Sequence, residues 1–124
     1  MDYVTEGIHV VPDQLFASTK IPVKTGFVKL NGGQGILKRG SVIALDAEKK
    51  GNLADQAKTE EEVYGILTDD LVTSSEVEAY AIAEVYLTGD FNAAALSFAA
   101  GTTLAHYETQ LRELGIFTDS VMEG

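Results

Sequence analysis

The chain has 124 residues, of which 45% are hydrophobic and 23% charged, and it carries a net charge of −10 with no cysteine. This length and composition are those of one globular domain, and no apolar run approaches the roughly 18 residues that a membrane-spanning helix needs. The absence of cysteine excludes disulfides, thiolate nucleophiles and sulfur-ligated metals, and the excess of acids argues against binding to nucleic acid phosphates.

The charge is unevenly distributed along the chain. Residues 1–40 contain three acidic and five basic residues, a net +2, whereas residues 41–124 contain sixteen acidic and four basic residues, a net −12. This difference suggests that the leading segment meets a partner. The first ten residues, "MDYVTEGIHV", carry acids where a secretory signal carries positive charge, so export by that route is not expected.

Residues 1–20 show no sustained hydrophobic period, and Pro12 and Pro22 interrupt backbone hydrogen bonding near the end of this segment. We therefore predict an extended arm over residues 1–20, ordered by a partner, and a β-rich domain over residues 21–124. The arm contains more apolar residues than a solvated tail usually does. Two alternatives remain open for them: burial against a partner, or packing on the chain's own domain.

Four segments of the domain are predicted as strands: residues 23–30, with Gly26 as a bulge, and residues 41–45, 63–67 and 79–88. The last shows the strongest alternation of side chains. One face of it carries Tyr80, Ile82, Glu84 and Tyr86, and the other carries Ala81, Ala83, Val85 and Leu87.

Three segments are predicted as turns or loops. The three glycines of "NGGQG", residues 31–35, favour a turn, and the polar residues 46–62 favour a surface excursion with room for a short helix around 53–62. Gly89-Asp90 is a turn signal after the longest strand. Asp90 is then a turn acid, and the following Phe91 and Leu96 enter the core or a subunit interface.

The carboxy-terminal part contains the clearest predicted helix. Thr102 or Thr103 can cap its first turn, and Gly115 stands where a left-handed cap is needed, with Ile116 placed for the accompanying apolar contact. Apolar residues recur at helical spacing at Leu104, Tyr107, Leu111 and Leu114. The predicted fold class is α+β and mostly β: a small single domain of short strands with a C-terminal helix and an extended N-terminal arm.

No pattern typical of catalysis or metal binding is present. The segment "GQGILKRGS" has Ser41 where the phosphate loop needs lysine, and His9 and His106 belong to no metal-binding pair. The acidic runs Asp69-Asp70 and Glu60-Glu61-Glu62 lack the calcium-loop spacing and are typical of solvated turns. We therefore predict no catalytic residue, no metal ligand and no cofactor.

Four ordered segments resemble the lambda-type phage head decoration proteins: "LKRGSVIALD" (37–46), "GILTDD" (65–70), "AEVYLTGDFNAAAL" (83–96) and "LRELGIF" (111–117). Members of that family have a glycine-started strand ending in acids, a strand of the form V-Y-L-T-G-x-F-N and a closing helix with R-x-L-G-I. The resemblance covers roughly residues 35–120, and the first 30 residues match least.

The resemblance implies a non-enzymatic homotrimer, made in the host cytoplasm, that binds the major capsid protein on the outside of the expanded phage head. There it would stabilise the head against packaged DNA, with no direct contact to nucleic acid or membrane. The candidate capsid contacts are Val10, Val11, Pro12, Leu15 and Phe16. The candidate core or trimer-interface residues are Tyr80, Ile82, Tyr86, Phe91 and Leu96.

Two other classes of function remain as alternatives. A small β-rich ligand- or protein-binding module without catalytic activity would use Tyr80, Tyr86 and the glycine loop, and would be a monomer or dimer. An enzyme acting through loop carboxylates would lose a pH-dependent activity when Asp69 or Asp70 is changed. Neither alternative has a sequence feature as specific as the four ordered segments.

Overall fold

The computed structural model describes residues 14–120. Within them, nine strands and one α-helix follow each other in chain order. They are β1 (Phe16–Ser18), β2 (Lys24–Asn31), β3 (Ile36–Leu37), β4 (Val42–Leu45), β5 (Gly51–Leu53), β6 (Glu62–Leu67), β7 (Leu71–Val72), β8 (Tyr80–Asn92), α1 (Leu104–Leu114) and β9 (Ile116–Asp119). This mostly β arrangement with one C-terminal helix confirms the predicted fold class.

Strand β8 organises the main sheet. It pairs along its first part with β2, and the strand order continues through β5 and β4 to β6. Because β6 pairs back onto β8 through Ile66↔Tyr86 and Leu67↔Val85, these five strands close into a ring of pairings. The last part of β8 extends beyond this ring and is flanked by β1, antiparallel, and β9, parallel. Strands β3 and β7 form a separate two-stranded ribbon.

The core consists of two clusters that share strands β4 and β8. Successive residues of a strand point to opposite faces, so Val42 and Ala44 of β4 join one cluster while Ile43 joins the other. The first cluster is closed by α1 and β9. Its members there are Tyr107, Leu111 and Ile116, which are 2%, 0% and 0% exposed.

The alternation predicted for β8 and the predicted helix are both confirmed. Tyr80, Ile82 and Glu84 are exposed, whereas Ala83 and Val85 are buried. The helix spans Leu104–Leu114 with Thr103 at its N-cap and ends at Gly115, whose φ is 94°. One residue of the predicted apolar stripe was assigned wrongly: Leu114 is 44% exposed and lies off the buried face.

The turn predicted at Gly89-Asp90 is wrong. Strand β8 continues through both residues, because β1 and β9 pair with this part of it on opposite edges. Gly89 adopts a φ of 150°, and a Cβ there would lie 3.0 Å from the Phe91 ring. Glycine is therefore needed at this position to fit the backbone of β8 beside that ring, and not to make a turn. Asp90 is consequently a strand residue and only 9% exposed.

Three further features of the structure differ from the predictions. Residues 53–62 form no helix; β5 and turns occupy this region, and the Ala54 amide donates a 2.8 Å hydrogen bond to the Val42 carbonyl. Strand β9 after the helix was not predicted. Residues 16–18, assigned to the arm, form β1 and belong to the sheet. Among residues 14–120, no helix is long and apolar enough to cross a membrane.

Candidate functional site

One candidate surface is the solvent-facing side of β2 and β8. We call it the sheet face and define it by Phe27, Lys29, Tyr80, Ile82 and Glu84. The period of two along both strands brings these side chains to the same side, opposite the buried Val28 and Val85. Phe27, Ile82 and Tyr80 are 68%, 63% and 48% exposed, which is unusual for side chains of this size.

The side chains of the sheet face are neighbours across the two strands. Phe27 pairs with Glu84 and Lys29 with Ile82, so Phe27 and Ile82 are diagonal neighbours. The Lys29 Nζ lies 4.7 Å from the centre of the Tyr80 ring, in a cation–π contact. The sheet face is therefore a continuous apolar surface with one charge of each sign. Such patches commonly mark interaction surfaces.

The second candidate surface is where the last part of β8 lies between β1 and β9. We call it the arm end and define it by residues 14–23, 89–92 and 116–120. The Asn92 amide donates a 2.7 Å hydrogen bond to the Leu15 carbonyl, and Asn92 pairs with Asp119 in β9. The first and last described residues therefore lie close to the same residue of β8. The segment that follows the predicted arm, residues 14–23, joins the domain at this position.

The beginning of the described chain is fixed firmly to the domain. Leu15 is 2% exposed and belongs to the first core cluster. The Phe16 ring stacks 4.9 Å from that of Phe91 and meets the Tyr86 ring edge-on at 5.0 Å. Two of the predicted capsid contacts thus pack against their own domain. The other three, Val10, Val11 and Pro12, lie outside the described residues, and capsid contact by the arm stays a prediction.

A cavity of about 310 Å³ opens at the arm end. We call it the acid cavity; it is lined by Ile21, Asp90, Glu108, Arg112, Phe117, Thr118 and Asp119. Asp90 Oδ2 accepts a 2.9 Å hydrogen bond from the Ser18 hydroxyl. Its other oxygen, Oδ1, is buried and receives no hydrogen bond from the described residues. A buried carboxylate oxygen without a donor costs free energy, so it needs a proton or a cation.

The second carboxylate of this cavity, that of Asp119, is exposed but lies close enough to interact with Asp90. Asp119 can donate a hydrogen bond to Asp90 only when it is protonated; this hydrogen bond and repulsion by the charge of Asp90 raise the pKa of Asp119, and the nearby Arg112 counteracts them in part. On α1, Glu108 Oε2 accepts a long hydrogen bond of 3.5 Å from the Thr118 hydroxyl. Among the described residues that line the cavity, three carboxylates thus face one guanidinium.

The predicted core or interface residues divide between these two roles. Phe91 is fully buried, and Tyr86 and Leu96 are half-buried against the first core cluster. The Tyr86 hydroxyl accepts a 2.9 Å hydrogen bond from Arg39 Nη1. Tyr80 and Ile82 are exposed on the sheet face and are free to form an interface between subunits.

Asp46 and Asp70 accept hydrogen bonds that stabilise turns. Burial alone would raise the pKa of Asp46, but hydrogen bonds from the Lys50 amide and the Asn31 side chain contribute to lowering it. Asp70 Oδ1 accepts a 2.8 Å hydrogen bond from the Arg39 amide at a turn. Within residues 14–120, no three histidine, aspartate or glutamate side chains lie close enough to hold a metal ion.

Comparison with protein families gives a match that covers the sheet face and most of the arm end. The family model described as bacteriophage lambda head decoration protein D matches residues 3–117. It therefore extends over all nine strands except the end of β9, over the helix, and over most of the predicted arm. No curated protein matches the chain.

Proposed function

The chain belongs to the family of bacteriophage lambda head decoration proteins, and from this premise we propose that it binds as a homotrimer to the outside of the expanded phage capsid. A head decoration protein is a structural component of the phage capsid, so the established part of this statement is association with the phage head. The trimer, the outer surface and the reinforcement of the head against packaged DNA are the proposal. The observation that carries it is the match over residues 3–117.

The stabilisation follows from selective binding. A cap that binds the expanded capsid and not the unexpanded one lowers the free energy of the expanded state by mass action. The gain is about 2.7 kcal/mol per site when the free cap is at a hundredfold excess over its Kd. A trimer adds multivalency, because after one subunit docks the other two bind at a high effective concentration. Many sites on one head make these contributions large.

The sheet face supports the trimer. Its exposed Phe27, Tyr80 and Ile82 provide the apolar centre that subunit interfaces require, and Lys29 and Glu84 provide a charged rim. In a three-fold ring each subunit offers two different patches to its neighbours, so the sheet face needs a second, complementary patch. Ile36 and Val72, an exposed cross-strand pair on the β3–β7 ribbon at 63% and 71% exposure, are the candidate for that patch.

The arm end supports capsid contact. Leu15 and Phe16 pack in the core, so residues 1–13, including Val10, Val11 and Pro12, are joined to the domain at a fixed point. Strand β1 stands at the end of the strand order. An arm that continues from it can add a strand to a sheet edge of the major capsid protein, an interaction that uses backbone groups and tolerates an irregular sequence.

Binding to phage heads tests this function. The purified protein is mixed with expanded and unexpanded heads of the phage that encodes it, and co-sedimentation is measured alongside light scattering of the free protein. We expect saturable binding to expanded heads alone, in multiples of three per site. Absence of binding to those heads, together with a monomer in solution, would instead favour a small ligand- or protein-binding module.

A truncation tests the role of the arm within this function. Removal of residues 1–13 stops before Leu15, so the core keeps its anchor and the melting temperature is expected to stay close to that of the full chain. Head binding is expected to be lost. Full binding by the folded truncated protein would contradict docking through the arm while leaving the decoration function in place.

A further inference from the structure

The acid cavity contains an electrostatic imbalance that the decoration function does not by itself explain. Asp90 is 9% exposed, and its Oδ1 is buried without a donor among the described residues. Asp90 and Asp119 both line the cavity, and β8 and β9 run in register there, with Asn92 opposite Asp119 and Asp90 opposite Phe117. The fold therefore holds two carboxyl groups together in a pocket that opens to the outside.

Two neighbouring carboxylates repel each other when both are ionised, and a proton or a positive charge relieves that repulsion. A proton is one solution, and the pKa of Asp119 is raised, first by the hydrogen bond that it makes with Asp90 when protonated. A cation is the other. Arg112 on α1 lines the cavity, but its one positive charge does not balance the three carboxylates there. Ser18 on β1 donates a hydrogen bond to Asp90 and carries no charge.

We propose that the acid cavity receives a lysine or arginine side chain of the capsid protein. A bare metal ion fits less well, since no three histidine, aspartate or glutamate side chains of residues 14–120 lie close enough together to ligate one. An ammonium or guanidinium group instead needs hydrogen-bond acceptors, which Asp90, Asp119 and Glu108 supply. A charge-assisted hydrogen bond of this kind is about twice as strong as a neutral one.

The position of the cavity identifies the capsid, and not a second copy of this chain, as the source of the cation. Ile21 and Asp119 belong to the arm end, beside the segment that leads in from the arm. The sheet face lies instead on the part of β8 that pairs with β2. This inference rests on the proposed function, because it requires that the arm end meets the phage head.

The variant Asp119→Asn tests the proposal. It removes one negative charge, and its amide supplies a donor to the buried oxygen of Asp90, so the protein is expected to fold. We expect its Kd for expanded heads at neutral pH to rise by at least about tenfold, the loss of one hydrogen bond to a charged group. The matched control Asp69→Asn removes the same charge from an exposed turn away from the cavity, and its Kd is expected to equal that of the unaltered protein.

The pH dependence gives a second readout. The proton and the capsid cation compete for the pair, so the affinity of the unaltered protein for heads is expected to increase as the pH rises through the raised pKa of Asp119. Asp119→Asn is expected to lose that dependence. Glu108→Gln, on the surface of α1, is expected to weaken binding without affecting folding and serves if Asp119→Asn does not fold.

The outcomes separate the two proposals. If the cavity variants and Asp69→Asn bind heads equally well, the cation site is overturned and the decoration function stands. If the unaltered protein does not bind expanded heads, the decoration function itself fails. If a cavity variant changes the oligomeric state in light scattering while head binding per trimer is unchanged, the cavity holds a side chain of a second copy, which also overturns the capsid assignment.

Discussion

Phe91 connects the arm end to the core at the level of a single residue. It is 0% exposed, stacks on Phe16 at 4.9 Å and lies 5.8 Å from the Tyr86 ring. Phe91→Ala removes all these contacts and leaves a cavity, so it is expected to lower the free energy of unfolding by about 3–5 kcal/mol. Urea denaturation measures this.

Val77→Ala is the control for that measurement, because Val77 is 73% exposed. A surface substitution of this kind is expected to change the free energy of unfolding by no more than about 0.5 kcal/mol. Equal effects of the two substitutions would contradict the placement of Phe91 in the core.

The pair Asp90–Asp119 predicts a specific dependence of stability on pH. The pKa of Asp119 is raised in the folded protein, first by its hydrogen bond with Asp90, so the folded state binds that proton more tightly than the unfolded state. The stabilisation is complete below the unfolded pKa, about 3.9 for aspartate, and is lost as the pH rises through the folded pKa. The advantage of the unaltered protein over Asp119→Asn is therefore expected to shrink from acid to neutral pH.

Denaturation of both proteins over this pH range gives the difference in their free energies of unfolding, in which the titration of groups distant from the pair cancels. A difference that is constant with pH would show that the two carboxyl groups do not share a proton.

The pair Asp90–Asp119 could not be predicted from the sequence. Gly89-Asp90 carries an ordinary turn signal, and the partner of Asp90 is supplied by a strand 26 residues later whose pairing no local pattern reveals.

Among the elements, the closure of the ring of strands depends on Gly65 in β6. A Cβ there would lie 2.7 Å from the Tyr86 carbonyl oxygen and 2.9 Å from Val85 Cγ2. Because a backbone oxygen in a paired strand does not move easily, Gly65→Ala is expected to separate β6 from β8 and to lower the free energy of unfolding by about 1–3 kcal/mol.

Gly26→Ala in β2 is the matched substitution. Its Cβ would also meet an atom at 2.9 Å, but that atom is the Cδ1 of Leu87, the end of a flexible side chain. Its cost is partly offset by the lower entropy of the unfolded chain, so we expect a change below about 1 kcal/mol. Thermal or urea denaturation of the two variants decides the point, and equal losses would show that strand glycines are required here for another reason.

Elements defined by their own local pattern were predictable from the sequence. The helix Leu104–Leu114 has both its apolar period and its glycine cap within the segment, and the alternation of β8 sets its buried and exposed faces directly. Elements defined by a distant partner were not. Residues 51–53, Gly-Asn-Leu, form β5 only because β4 and β2 pair with them, and β9 exists because β8 offers a free edge after the helix.

For the whole molecule, the same principle separates what the sequence predicts of the functional surfaces from what it does not. The family match and the exposed alternation of Tyr80 and Ile82 both have sequence signals. The acid cavity has no sequence signal, because its lining residues come from separate segments, mainly β8, β9 and α1. Ser18, which donates to Asp90, comes from a further strand, β1. The two surfaces occupy different parts of β8, so the proposed capsid contact can be altered without changing the proposed contact between subunits.

This separation gives the last prediction, which concerns the assembly of subunits. Ile82 is 63% exposed at the centre of the sheet face, so Ile82→Lys is expected to leave the melting temperature of the protomer nearly unchanged while placing a charge in the apolar centre of the proposed interface. Light scattering is then expected to show a monomer in place of a trimer. Binding to expanded heads should weaken as well, because the three arms no longer dock together. Val77→Lys, an equally exposed valine on a loop outside the sheet face, is the control and is expected to stay trimeric. If Ile82→Lys also stays trimeric, the subunits meet through another surface, and the β3–β7 ribbon with Ile36 and Val72 is the next to be changed.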